Sequence, residues 1–204
     1  MKIGLIIILI AFLVKFCRGG YGTNGGIYDE ESFHKEFDGH LRFTACDGLT
    51  KPAIIITKLD VNPKMFFIPQ NVSMTIGFEF TKNIEPPIMV KIDISKQLGF
   101  MGYVKLPCIA NYGSCTFGRI CEILDTYPED SFAYKVSCPN WLKKAGVKCK
   151  CPVTKGSYGV ANVRVPIEST IVPKWIATGD YKAALIIDDG NQTVGCFKFQ
   201  FRLR

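Results

Sequence analysis

Residues 71–80 alternate strictly between two kinds of side chain: Val72, Met74, Ile76, Phe78 and Phe80 are interleaved with Asn71, Ser73, Thr75, Gly77 and Glu79. A period of two places every second residue on one face of an extended chain, so the segment suits a strand that buries one side. The same period recurs in Ile88, Val90, Ile92 and Ile94, and again in Phe197, Phe199, Phe201 and Leu203. Weaker apolar runs at 53–61, 103–106, 158–165 and 181–187 lie between them. Asp188-Asp189-Gly190-Asn191 supplies turn chemistry before the last strand. Only residues 139–145 hint at a short helix, with Pro139 at its start and Gly146 after it. Seven or eight antiparallel strands without helical alternation predict an all-β chain, an antiparallel β-sandwich or cup.

At 204 residues the chain has the length of one medium domain. Its start is of another kind. Met1-Lys2, the 12-residue apolar run from Ile3 to Val14, and Cys17-Arg18-Gly19-Gly20 predict a secretory signal peptide over residues 1–19. Twelve apolar residues fall short of the roughly 20 that cross a bilayer. Loss of this segment removes Cys17 and the cations Lys2, Lys15 and Arg18, so nine cysteines become eight and the net charge falls from +7 to +4. Cys46 and Cys196 then stand alone near the two ends, while Cys108, Cys115, Cys121, Cys138, Cys149 and Cys151 crowd the middle. In an oxidising compartment this predicts up to four disulfides, an end-to-end clasp and a stapled centre. Cys149-Lys150-Cys151 is close-spaced, but no Cys-x-x-Cys pair accompanies it and His34 and His40 lie far upstream, so no metal is expected. Glycine-rich and then charged, residues 20–42 read as a flexible leader before a single domain at 43–204.

The chemistry of common enzymes is missing from the sequence. There is no Gly-x-Ser-x-Gly elbow, His-Glu-x-x-His helix or phosphate-binding glycine loop, and neither histidine falls in the strand-rich part. No catalytic residue and no cofactor are expected, although a pair of carboxylates assembled by the fold stays open. Asn71-Val72-Ser73 and Asn191-Gln192-Thr193 are glycosylation sequons, so Asn71 and Asn191 are candidate glycan carriers. No acid occurs between Asp130 and Glu168, whereas Lys135, Lys143, Lys144, Lys148, Lys150, Lys155 and Arg164 do. Such a stretch is either an ordinary solvated face or a patch for anionic lipid headgroups, and nucleic acid is not an expected partner. Leu98-Gly99-Phe100-Met101-Gly102-Tyr103 and Pro173-Lys174-Trp175-Ile176-Ala177-Thr178-Gly179 carry large apolar side chains among bend-forming residues. Core packing and binding or membrane contact are both open for them.

The stretch Leu106-Pro107-Cys108-Ile109-Ala110-Asn111-Tyr112-Gly113-Ser114-Cys115-Thr116-Phe117, with Cys121 and Leu124-Asp125, resembles the sphingolipid activators of the ML lipid-recognition family. The likeness continues in Cys149-Lys150-Cys151-Pro152, in Pro173-Lys174-Trp175 with Thr178-Gly179-Asp180-Tyr181, and in Gly195-Cys196-Phe197-Lys198. The resemblance implies a disulfide-stapled β-cup with an apolar lipid cavity, and the pairs Cys46–Cys196, Cys108–Cys115, Cys121–Cys151 and Cys138–Cys149. It also implies membrane-contacting rim loops carrying Phe100, Met101, Tyr103, Trp175 and Ile176. The function implied is extraction of a glycolipid of the ganglioside or sphingolipid class, or of a phospholipid, from an anionic membrane surface. The lipid would be presented to a beta-hexosaminidase-like glycosidase in the lysosome or outside the cell, with no catalysis by the chain itself. A secreted lipid-binding signalling module and a sterol carrier are the alternatives.

Overall fold

The long alternating segments all become strands in the computed structural model, which describes residues 36–109, 112–118, 121, 143–148, 150–167 and 178–204. In chain order these are β1 (Arg42–Ala45), β2 (Ile54–Asn62), β3 (Gln70–Phe80), β4 (Met89–Gln97), β5 (Tyr103–Lys105), β6 (Cys115–Phe117), β7 (Gly156–Ile167), β8 (Gly179–Asp188) and β9 (Thr193–Leu203). The described residues thus hold nine strands, more than the seven or eight expected. The additions are β1 and β6, whose four and three residues are too few for alternation to repeat.

Six strands form one antiparallel sheet in the order β1-β9-β8-β4-β5 with β6 also on β4, and β2-β3-β7 form a second. The inward rows meet as one core: Val72, Met74, Ile76 and Phe78 from β3 face Val90, Ile92 and Ile94 from β4, Leu185 from β8 and Phe197 and Phe199 from β9. Strand β2 departs from a single phase because its register shifts between Ile56 and Lys58. That bulge lets Leu59 and Val61 point inward alongside Ile54 and Ile56, although odd and even positions have exchanged roles. At the β8–β9 turn Asp189 Oδ1 accepts the amides of Asn191 (3.2 Å) and Gln192 (3.1 Å), and Gly190 takes φ 85°.

Disulfides join Cys46 to Cys196, Cys108 to Cys115 and Cys121 to Cys151, the same three pairs that the resemblance implies. Cys138 lies outside the described residues, as does Cys149. Of the segment expected to be a helix, Lys143 and Lys144 are helical, and the Gly146 amide closes the turn on the Lys143 carbonyl at 3.0 Å. Among the described residues no helix is long and apolar enough to cross a membrane. Residues 36–41, which the sequence assigns to the leader, are held. The guanidiniums of Arg42 and Arg202 each lie over the Phe37 ring, 5.3 and 5.4 Å from its centre, and the Leu41 amide donates to the Lys64 carbonyl at 3.0 Å.

Candidate functional site

The two sheets are sewn together along one long edge. Backbone hydrogen bonds run from Ala53 to Val194 (2.8 Å), from Ile68 to Arg204 (2.8 Å) and from Arg204 to Phe66 (2.9 Å), so the β2 side is tied to β9 at both of its ends. Phe66, with 0% exposure, anchors the upper part of this seam edge-on to Phe201, 6.4 Å away. On the opposite edge the tie is covalent and lies at the far end. Cys121, just after β6, is bonded to Cys151, just before β7. The strand registers fix which end this is: Gly156 at the start of β7 pairs with Phe80, and Phe117 of β6 pairs with Val90, near the start of β4. The other end, where β4, β7 and β9 finish and β8 begins, has no such staple among the described residues on the β4–β7 side.

At that end β4 turns into β5 through a tight 3-10 turn at Gly99–Met101. The Leu98 amide donates to the Gly102 carbonyl at 2.9 Å, the Met101 amide to the Leu98 carbonyl at 3.0 Å, and Gln97 Nε2 to the Gly99 carbonyl at 3.1 Å. Gly99 at φ 48° and Gly102 at φ 72° take the left-handed conformations that close the turn. The consequence is a braced tip with Phe100 100% exposed and Met101 60% exposed. Phe67, in the β2–β3 connection beside the end of β9, is 44% exposed at the same end. Large apolar side chains standing free in water on braced backbone are a feature of binding surfaces rather than of cores.

Tyr103 does not join Phe100 and Met101 at the exposed tip. It pairs with Gln97, in the outward row of β4, and its ring lies under Lys182 Nζ at 4.6 Å while its hydroxyl accepts from Gln200 Nε2 at 3.1 Å. The side chain therefore lies across the outer face of the larger sheet, because β5 enters its ladder in the outward phase at that residue. Trp175 and Ile176 lie outside the described residues; the chain that carries them connects Ile167 to Gly179, and both of these flank the open end. The basic stretch is also divided. Lys143, Lys144, Lys148, Lys150 and Lys155 are exposed, but they belong with Gly156 at the stapled end, away from Phe100. Arg164 pairs with Ser73 further toward the open end, and Lys135 lies outside the described residues.

The electrostatics of the larger sheet's outer face are those of paired charges. Burial pushes the Asp93 carboxyl up, but hydrogen bonds from Lys105 (2.6 Å) and Lys91 outweigh it and hold the carboxyl below its usual range. Arg202 is clasped by both oxygens of Asp180. On the inward side burial raises the Tyr181 phenol far above its ordinary value, so it stays neutral and donates to the Thr178 carbonyl at 3.1 Å. No group of three or more histidine, cysteine or acidic side chains that could hold a metal occurs among the described residues.

An all-β sandwich stapled at one end, with an apolar tip at the other, is the arrangement on which the comparisons bear. Residues 40–203 match the ML domain, and the chain belongs to that family. It is 28% identical over 167 residues to the mouse (Mus musculus) ganglioside GM2 activator, covering 81% of this chain and 83% of that protein. It is 27% identical over 166 residues to the ganglioside GM2 activator of Macaca fascicularis, covering 81% of this chain and 84% of that one. Among solved structures, a Niemann-Pick type C2 protein from Japanese carpenter ant is 13% identical and aligns over 79% of this chain and 98% of its own at a TM-score of 0.39.

Proposed function

We propose that the chain is a non-catalytic lipid-binding and transfer protein of the secretory pathway, which lifts a glycolipid or phospholipid from a membrane and presents it to a hydrolase. The observation that carries this reading is the braced tip: Phe100 stands fully in solvent at the end of the sandwich that has no disulfide staple among the described residues on the β4–β7 side. Exposing acyl chains to water costs about 0.8 kcal/mol per CH₂, so a lipid leaves a bilayer readily only when its chains pass directly into other apolar surroundings. Chains entering between the two sheets would meet the apolar inward rows, and Phe100 and Met101 seated in the membrane interface would bring that entry to the lipid. Trp175 and Ile176 are proposed to share the contact, since their connection starts and ends at this end of the sheets.

The names of the mouse and macaque relatives support a ganglioside-class or sphingolipid ligand, and the family resemblance supports a beta-hexosaminidase-like glycosidase as the partner. The three disulfides fit an oxidising compartment, and we place the chain in the lysosome or outside the cell. Asn71 and Asn191 are exposed and are proposed as glycan carriers. The test is transfer of a fluorescent lipid between vesicles by the purified chain, with transfer expected to rise with protein concentration. Neither binding nor transfer at acid or neutral pH would overturn the reading. Transfer without any acceleration of hexosaminidase on vesicle-borne ganglioside would remove the hydrolase step and leave a lipid-carrying signalling module.

A further inference from the structure

The inward row of β4 runs Val90, Ile92, Ile94 and then Lys96. The first three are buried, and the fourth sits in the same phase at the open end. Among the described residues Lys96 is the one charged side chain in the inward rows of either sheet, whose other members are uncharged. Its partner across the ladder is Tyr181, buried to 1%, and Lys96 Nζ lies 5.7 Å from the centre of that ring. Tyr181 in turn stacks on Phe201 with centres 5.4 Å apart. The stem of Lys96 runs so close to Gly179 that a Cβ there would stand 2.8 Å from Lys96 Cε, so the glycine leaves room for the lysine to lie along β8. The ammonium is thereby held at the start of β8, over Tyr181 and 3.7 Å from where a Cβ at Gly179 would stand.

We propose that Lys96 recognises a phosphate at the junction of headgroup and acyl chain in the bound lipid. The inference rests on the lipid-binding reading above and adds the chemistry that selects among lipids. Chains taken between the sheets would place their first polar atoms where the apolar row ends, which is the position of Lys96. An ammonium has three donors and no fixed plane, so one of them can be donated to a phosphate oxygen that approaches from any of several directions. The bond is charge-assisted, and the aromatic surroundings of Tyr181 and Phe201 reduce the screening that water would impose. A negative group several sugars away from the chains lies beyond the reach of a side chain rooted at this depth.

The experiment compares three monomeric single-chain probes of equal chain length: lysophosphatidylglycerol, lysophosphatidylcholine and neutral monoacylglycerol, with inorganic phosphate as a fourth. They are titrated against the full chain and its Lys96→Gln and Lys96→Arg variants. Both lysophospholipids should bind the unaltered chain about tenfold more tightly than monoacylglycerol, as one charge-assisted hydrogen bond would provide. Lys96→Gln should abolish that ratio while leaving monoacylglycerol affinity unchanged, and Lys96→Arg should keep most of it. An unchanged ratio in Lys96→Gln overturns the inference while lipid binding stands. Equal loss of the neutral probe assigns Lys96 a structural role and also overturns it, as does binding of inorganic phosphate at the affinity of the lysophospholipids. If no probe binds the unaltered chain, the lipid-binding reading fails and this inference falls with it.

Discussion

Phe100 and Phe66 are the same residue type in opposite circumstances, 100% and 0% exposed at the same end of the molecule. Truncating Phe100 removes no packing, so Phe100→Ala should leave folding stability within about 0.5 kcal/mol of the unaltered chain. It should weaken vesicle association by roughly tenfold or more, because burying a phenylalanine side chain is worth about 1.5–3 kcal/mol. Thermal melting and vesicle co-sedimentation check this, and a matching loss in both would make Phe100 a core residue. Phe66→Ala should instead cost about 3–5 kcal/mol, read from the denaturation midpoint, since it empties the packed upper seam. For Phe100 and Met101 the glycines on both sides mark a bend in the sequence but leave core packing and surface contact both open; the turn geometry is what puts the two side chains in solvent. Tyr103 was not legible, because β5 has three residues and only its pairing with Gln97 decides which face the ring takes. Lys96 escaped for a related reason: a period traced by its apolar members stops at Ile94, one step short of the residue that continues the phase.

The elements that alternate over many residues are the ones the sequence reveals. Strands β3, β4 and β9 show nine to eleven residues each of an almost unbroken period, and their expected spans differ from the observed ones by a few residues at the ends. In β2 the bulge after Ile56 breaks the period, and β1 and β6 are defined only by their partners. The hairpin-like loop closed by Cys108 and Cys115 has its own requirement. Gly113 takes φ 91°, and a Cβ there would meet the Pro107 carbonyl oxygen at 2.1 Å. Gly113→Ala should therefore cost about 2–4 kcal/mol in denaturant unfolding and leave free thiols at Cys108 and Cys115 after refolding. Gly48→Ala is the control: φ is 81° but a Cβ there has nothing within 4 Å, so only the backbone penalty of about 1–2 kcal/mol applies.

For the whole molecule the paired charges decide behaviour in acid. The hydrogen bond from Lys82 Nζ, at 2.9 Å, outweighs burial, and with the amides of Asn191 and Gln192 it holds the Asp189 carboxyl below its usual range. Asp93 is lowered in the same sense, its lysine hydrogen bonds overcoming burial. A carboxyl whose folded value is depressed stabilises the fold above its unfolded value near 4, and that contribution disappears as pH falls through the folded value. Melting temperature should consequently stay level from about pH 7 to 5 and drop below about 4. Lys82→Met should remove about 1 kcal/mol on the level part, a modest figure because the lysine is half exposed, and shrink the drop in acid. Differential scanning calorimetry across this range checks both. The seam along β2 and β9 and the Cys121–Cys151 tie at the far end have a mechanical consequence as well. A sandwich fixed along its spine and at its base behaves like a purse with one looser corner: among the described residues, no backbone hydrogen bond or disulfide joins β7 to β4 near the end of β4. If the proposed lipid chains enter there, such a corner would yield to cargo of different girth without altering the spine, so one scaffold would admit lipids of unequal bulk.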